Sequence, residues 1–225
     1  AEASLKQALS LDPGGYDAHY MLGGLCEARG DLAAAISHYQ SALSLKPDFD
    51  FCCRDLCRAL FQGGRAQEAK DVASKGLEIN PGFADLHFYR GNLYLGDTDL
   101  DNAIACFKTA LSIQPEYVDA HFSLGSAFQR QGSIDAAISC YRRAAELNPS
   151  SFEAHRSLGY ALLQKDDLDA SLNSYRDALA VNPQSFDVNF HLGLIYWRKG
   201  DLENARQHYE RARVCDPENA EVLNN

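Results

Sequence analysis

Cationic side chains are scarce: 21 Lys and Arg stand against 31 Asp and Glu, a formal net charge of −10 over 225 residues. Phosphate recognition needs a concentrated cationic surface, so nucleic acid is excluded as the main partner. Long apolar runs are missing too. None approaches the ~18–20 residues of a membrane-crossing helix, so no membrane span is expected, and the first residues do not read as a leader peptide. The single methionine is Met21, so no initiator is visible, and the chain is expected to be a segment of a longer protein that continues on both sides. Catalytic spacings are absent as well: there is no H-E-x-x-H, phosphate loop or G-x-S-x-G elbow. The expectation is a non-enzymatic chain with no cofactor.

Proline is also sparse, and its placement is informative. The seven are Pro13, Pro47, Pro81, Pro115, Pro149, Pro183 and Pro217, each 34 residues from the next. Chance does not place all seven on one lattice, so the chain is an array of repeats. With proline as position 32, six full repeats span 16–49, 50–83, 84–117, 118–151, 152–185 and 186–219. Residues 1–15 match the second half of a repeat, and 220–225 begin another.

Other positions keep the same period. Position 8 is Gly23, Gly91, Gly125, Gly159 and Gly193, with Cys57 in the second repeat. Position 24 is Tyr39, Phe107, Tyr141, Tyr175 and Tyr209, interrupted by Ala73, and position 27 is Ala42, Ala110, Ala144, Ala178 and Ala212, interrupted by Gly76. This L-G-x2-Y…A-x3-F…A…P pattern resembles the tetratricopeptide repeat across nearly the whole chain. The resemblance implies an all-α fold: a right-handed superhelical solenoid of antiparallel helix pairs, one solenoid over 1–225. The family's tryptophan at position 4 is missing throughout.

The residues read the same way. Leu32, Ala35, Ile36, Tyr39, Ala42 and Leu43 keep the three-and-four rhythm of one helix face. Gly30, Gly64, Gly132 and Gly200 at position 15 are placed to end each first helix in a left-handed cap. Asp31, Asp99, Ser133, Asp167 and Asp201 follow and are expected to cap the second helix. The position-8 glycines cost ~1 kcal/mol each against alanine in a helix. They are expected to let paired helices approach with the small residue at position 20, while the position-24 ring packs on the neighbouring repeat. The second repeat breaks the pattern most, and without its ring it is expected to be the softest junction.

The resemblance further implies that positions 5, 6, 9, 12 and 13 of each first helix line a concave groove that takes ligands. Carried over residue by residue, these include Tyr20, Arg54, Arg58, Phe88, Tyr89, Phe122, Arg130, Arg156, Tyr160, Phe190, His191, Leu194, Trp197 and Arg198. Aromatic rings and arginine dominate binding hot spots, so this set is the candidate partner-binding surface, and a protein or an extended or helical peptide is the expected partner. Some of these rings are expected only to fill space between helices. The family's carboxylate clamp, Lys at position 5 with Asn at 9, then Asn at 6 and Lys or Arg beyond, is not present, because Arg54 and Arg58 are followed by Tyr89, then Asp119 and Ser123. O-GlcNAc transferases carry an arm of similar repeats, and a substrate-recruiting arm of such an enzyme is an alternative reading. Their asparagine ladder at position 6 is replaced here by Met21, Asp55, Tyr89, Ser123, Ser157 and His191. A third reading is self-association through uncapped ends, where Leu223 and the first helix leave apolar faces open.

Seven His and seven Cys invite a metal reading. His19, His87, His121 and His155 share position 4, a repeat apart, too far for common coordination, so no metal is expected. His38 and His208, at position 23, are expected at the surface. Cys52, Cys53 and Cys57 lack C-x2-C spacing and are expected to be small buried thiols. The odd cysteine total points to a reducing, cytoplasmic compartment.

Overall fold

In the computed structural model, residues 2–216 are described. The expected features at Pro217, Leu223 and 220–225 lie outside them. Among the described residues there are thirteen α-helices and no strands: α1 (Glu2–Leu11), α2 (Tyr16–Ala28), α3 (Leu32–Leu45), α4 (Asp50–Gln62), α5 (Ala66–Ile79), α6 (Ala84–Gly96), α7 (Leu100–Ile113), α8 (Val118–Gln131), α9 (Ile134–Leu147), α10 (Phe152–Gln164), α11 (Leu168–Val181), α12 (Phe186–Arg198) and α13 (Leu202–Cys215). The fold is all-α and built from helical hairpins, one for each repeat.

Local chemistry places the ends. The second helices stop two residues before each described proline, which cannot supply the N–H that the next turn would need. The four position-15 glycines have φ between +71° and +85°. Thr98 and Asp166 adopt the same left-handed backbone at +63° and +66°, so the turn geometry is common to all six hairpins. Asp31, Asp99, Asp167 and Asp201 accept from the backbone N–H three residues on. Ser133 does not: its side chain makes no capping bond. Ser151 and Ser185 cap α10 and α12 instead.

The chain divides into two compact units, Ala1–Ala120 and His121–Asn225. In the first, α2–α3, α4–α5 and α6–α7 pair, and α3 packs on α4 and α5 on α6. Its core runs through Ala35, Ile36, Tyr39, Leu56, Leu60 and Ala69, then Cys57, Ala73, Leu77 and Leu86. In the second, α9 packs on α10, α10 on α11, α11 on α12 and α12 on α13, around Tyr141, Leu158, Leu162, Tyr175, Val188, Leu192 and Ile195.

Positions 8 and 20 meet as expected, Ser171 donating to the Gly159 carbonyl at 2.7 Å, and the position-8 glycines have a second partner that was not expected. Each faces the aromatic ring of its own hairpin. A Cβ at Gly23 would sit 2.5 Å from the Tyr39 ring, at Gly91 2.6 Å from Phe107, and at Gly125 2.8 Å from Tyr141. The ring therefore uses the space that the missing side chain leaves, and the cost of a helical glycine is offset by burying a whole aromatic.

Candidate functional site

The Tyr39 and Tyr141 rings at position 24 cross their hairpins and bring the hydroxyl to a side chain of the first helix. In the first unit, Tyr39 donates to Glu27 at 2.8 Å, and Glu27 also accepts two bonds from Arg58, at 3.0 and 2.9 Å. Tyr20 donates to Asp55 at 2.8 Å, and Arg54 bonds the other Asp55 oxygen at 2.9 Å while lying 3.5 Å from Asp85. Asp55 is buried, and these donors satisfy its charge. Burial and the Asp55 carboxylate push the Tyr20 phenol up to about 12. The Glu27 bond raises the Arg58 guanidinium above its ordinary value. Tyr20, Met21, Gly24, Glu27 and Arg58 line a cavity of about 380 Å³. Phe88 is buried and contacts Tyr89, Phe107 and Tyr117, with ring centroids 5.3, 6.0 and 5.0 Å away.

In the second unit the sequence-predicted residues fall into groups. Phe122 packs on Tyr141 at 5.5 Å, and Arg130 is exposed at the end of α8. Arg156, Tyr160, Phe190 and His191 come together. Arg156 bonds Glu153 at 2.8 Å and Asp187 at 3.2 Å. His191 stacks on Tyr175 at 5.4 Å, receives the edges of Tyr160 and Phe190 at 5.8 Å, and donates from Nδ1 to the Asp187 carbonyl at 2.8 Å. Burial opposes charge on His191, but its bonds to Asp187 outweigh that and raise its pKa. The same contact with His191, and then Arg156, lowers that of Asp187. Leu194 is half-buried, Trp197 is 58% exposed, and Arg198 donates to Asp166 at 2.7 Å.

Two kinds of contact lie outside the sequence reading, which placed most of these acids on the groove or its rim without pairing them to the arginines. The acids Glu27, Asp55, Asp85, Glu153, Asp187 and Asp166 hold Arg54, Arg58, Arg156 and Arg198. Most come from the next or previous hairpin, at separations of 31 or 32 residues that a single-repeat alignment does not display. The second kind is made by the ring hydroxyls of α3 and α9. Tyr paired with Glu or Gln at position 12 was the available signal.

Histidine placement also differs from expectation. His38 and His208 are half-buried rather than surface groups. Nδ1 of His38 lies 3.2 Å from Nδ1 of His19, and His208 lies 3.1 Å from the Asn189 amide oxygen, so positions 4 and 23 meet inside a hairpin. Among the described residues no three metal-ligating side chains converge. Cys52, Cys53 and Cys57 are buried, and burial pushes Cys52 up to about 12 and Cys53 to about 11, well above a reactive thiol. No described helix is long and apolar enough to cross a membrane.

Comparison with known proteins follows this geometry. A tetratricopeptide repeat family model matches residues 1–48, 122–176 and 162–220, another matches 27–87, and a TPR repeat model matches 99–132. No curated protein matches the chain in sequence. Among solved structures, YrrB, described as a TPR protein with an unusual peptide-binding site, is 22% identical with a TM-score of 0.70, over 80% of this chain and 92% of its own. MamA from Desulfovibrio magneticus RS-1 is 17% identical with a TM-score of 0.68, over 75% and 96%. MamA AMB-1 is 23% identical with a TM-score of 0.67, over 75% and 92%. At these identities the likeness is one of fold.

Proposed function

The chain belongs to the tetratricopeptide repeat family, and from that premise we propose that it is a non-catalytic interaction scaffold whose first-helix faces bind a peptide segment of a partner protein. One observation carries the reading. The Phe88, Tyr39, Tyr141 and Tyr175 rings are buried, yet Tyr160 and Trp197 stand 43% and 58% exposed on the predicted ligand face of α10 and α12, and Phe61 is 44% exposed at the matching position of α4. Exposed aromatics beside a fixed frame are what a peptide hot spot requires, because they supply apolar area with little rotamer entropy to lose. The acid-held arginines support the frame rather than the contact: pinned by Glu153 and Asp187, Arg156 orients the neighbouring rings. Seven free thiols fit a reducing, cytoplasmic setting.

The test uses peptides selected on the immobilised chain from a displayed random-sequence library. Replacing Tyr160 and Trp197 together by alanine is expected to weaken the selected peptides at least about tenfold, with helical circular dichroism unchanged. Equal affinity for the double variant would overturn the reading.

A further inference from the structure

Met21, Gly24 and Ala28 share one face of α2, and all three are exposed. They line the cavity of about 380 Å³ in the first unit, which opens along this strip. A Cβ at Gly24 would meet nothing closer than the Tyr39 hydroxyl at 3.8 Å, so this glycine leaves space free, whereas Gly23 beside it makes room for a ring. Met21 stands 57% exposed at the edge, an unbranched side chain suited to packing on an alkyl neighbour.

The other walls include Tyr20, Glu27, Tyr39 and Asp55, whose hydroxyl donors are already used. Tyr39 donates to Glu27 and Tyr20 to Asp55. Arg58 bonds Glu27 and lies 3.3 Å from Asp55, and Arg54 bonds Asp55. What remains is acceptor capacity. Glu27 Oε1 and Asp55 Oδ2 each accept a single bond, and both phenol oxygens keep lone pairs.

Charge points the same way. Glu27, Asp55 and Asp85 set three carboxylates against the two guanidiniums of Arg54 and Arg58. Asp119 adds a further negative charge within reach of Tyr117, and Arg29, next to Ala28, is paired with Glu2. Burial first, and then these carboxylates, push the phenols of Tyr39 and Tyr117 upward. A ligand carboxylate would meet this field unfavourably, whereas a cation meets both the surplus charge and the unused acceptors. An ammonium suits them better than a guanidinium. The planar fork of an arginine docks on the two oxygens of one carboxylate, and Arg58 already holds Glu27 in that way. A lysine directs three donors to separate oxygens, here on different residues.

Resting on the peptide-binding reading above, we propose that the first unit carries a lysine pocket, in which a lysine of the bound peptide lays its alkyl stem on Met21 and places its ammonium between Glu27, Asp55 and the hydroxyls of Tyr20 and Tyr39. Gly24 keeps the pocket open, and Tyr160 and Trp197 of the second unit serve other residues of the partner.

The test selects displayed random-sequence peptides on the parent chain and, separately, on the Tyr160→Ala, Trp197→Ala double variant, where only sites outside that aromatic pair remain. Both sets are expected to contain a lysine whose replacement by norleucine weakens binding at least about tenfold, the range for a hydrogen-bonded charge. Replacement by arginine should also weaken it. Glu27→Gln keeps an acceptor for Tyr39, as Gln129 does for Tyr141 at 2.9 Å, but removes the charge; it is expected to bring the lysine and norleucine peptides within about threefold of each other. Gly24→Leu fills the cavity and is expected to cost at least about tenfold without lowering the denaturation midpoint of the free chain, because leucine is the better helix former. If the peptides depend on Tyr160 and Trp197 but ignore Glu27→Gln and Gly24→Leu, the lysine pocket is wrong while the peptide groove stands. Arginine binding as well as lysine, or selection of acidic peptides that Gly24→Leu displaces, would also overturn it. Should neither selection yield a peptide, both readings fall together.

Discussion

At the scale of single residues, the turn between paired helices imposes one backbone geometry and leaves the side chain to adapt. Thr98 holds φ at +63° where four other hairpins use glycine. A β-branched residue there costs roughly 1–2 kcal/mol in steric strain, against about 0.5–1 kcal/mol of extra unfolded-state entropy for glycine. Thr98→Gly is therefore expected to raise stability by about 0.5–1 kcal/mol, read as a higher urea midpoint at unchanged slope. Asp166→Gly should gain less, because Asp166 also accepts from Arg198. The need for a left-handed residue at position 15 was legible from Gly30, Gly64, Gly132 and Gly200, since backbone sterics act within one turn. The partner of the position-8 glycines was not legible. Which ring sits 2.5 Å from Gly23 depends on how two helices cross.

At the scale of the element, the α4–α5 hairpin exchanges its sizes. Cys57 occupies the glycine position, Ala73 the ring position, and both are fully buried. The Cys57 thiol reaches the Ala69 carbonyl at 3.5 Å, and Gly76 makes room for Cys53 and Leu86. The exchange is incomplete, because a thiol is smaller than a ring. A separate open pocket of about 500 Å³ lies beside this hairpin, lined by Leu43 and Pro47 from one side and Cys53, Leu56, Val72, Gly76 and Ile79 from the other, and neither Cys57 nor Ala73 borders it. Ala73→Phe alone should overpack against Cys57 and cost about 1–3 kcal/mol. Pairing it with Cys57→Gly rebuilds the arrangement of the other hairpins, and the double variant is expected to be more stable than the sum of the singles by about 1 kcal/mol or more. Strict additivity in a double-mutant cycle would show that positions 8 and 24 do not touch here.

Over the whole molecule, stability should respond to pH with two opposite histidine signatures and an acid limb. His191 has a raised pKa in the folded chain, so its contribution is complete below about 6.5 and is lost as pH climbs through the raised value. For His208 burial, then Arg211 and Arg176, lower the pKa, so its contribution is present above about 6.5 and is lost as pH falls through the lowered value. The carboxylates of Asp187, Asp201, Glu203, Glu210 and Glu68 are depressed, chiefly by hydrogen bonds to His191, Asn204, Gln207, Arg213 and Arg65. Their contribution is present above about 4 and disappears on further acidification. His191→Gln is expected to flatten the loss of stability between about pH 6 and 8, and His208→Gln the loss between about 7 and 5. Denaturation midpoints across that range check both signs; identical profiles for parent and variants would contradict them.

The sequence by itself determined the helices, their boundaries and their repetition, because prolines, left-handed glycines and capping aspartates act on the backbone within a few residues of themselves. It also marked the first helices as the face with unusual aromatic content. Only the tertiary structure decided which of those groups are available. Arg54, Arg58, Arg156 and Arg198 are held by acids mostly a full repeat away, Phe88 is buried, Tyr160 and Trp197 stay exposed, and Tyr175 is left without an acceptor. Those outcomes depend on contacts between hairpins and across them. There a side chain's neighbours are set by how helices stack, and position in the 34-residue period says only which face it starts from.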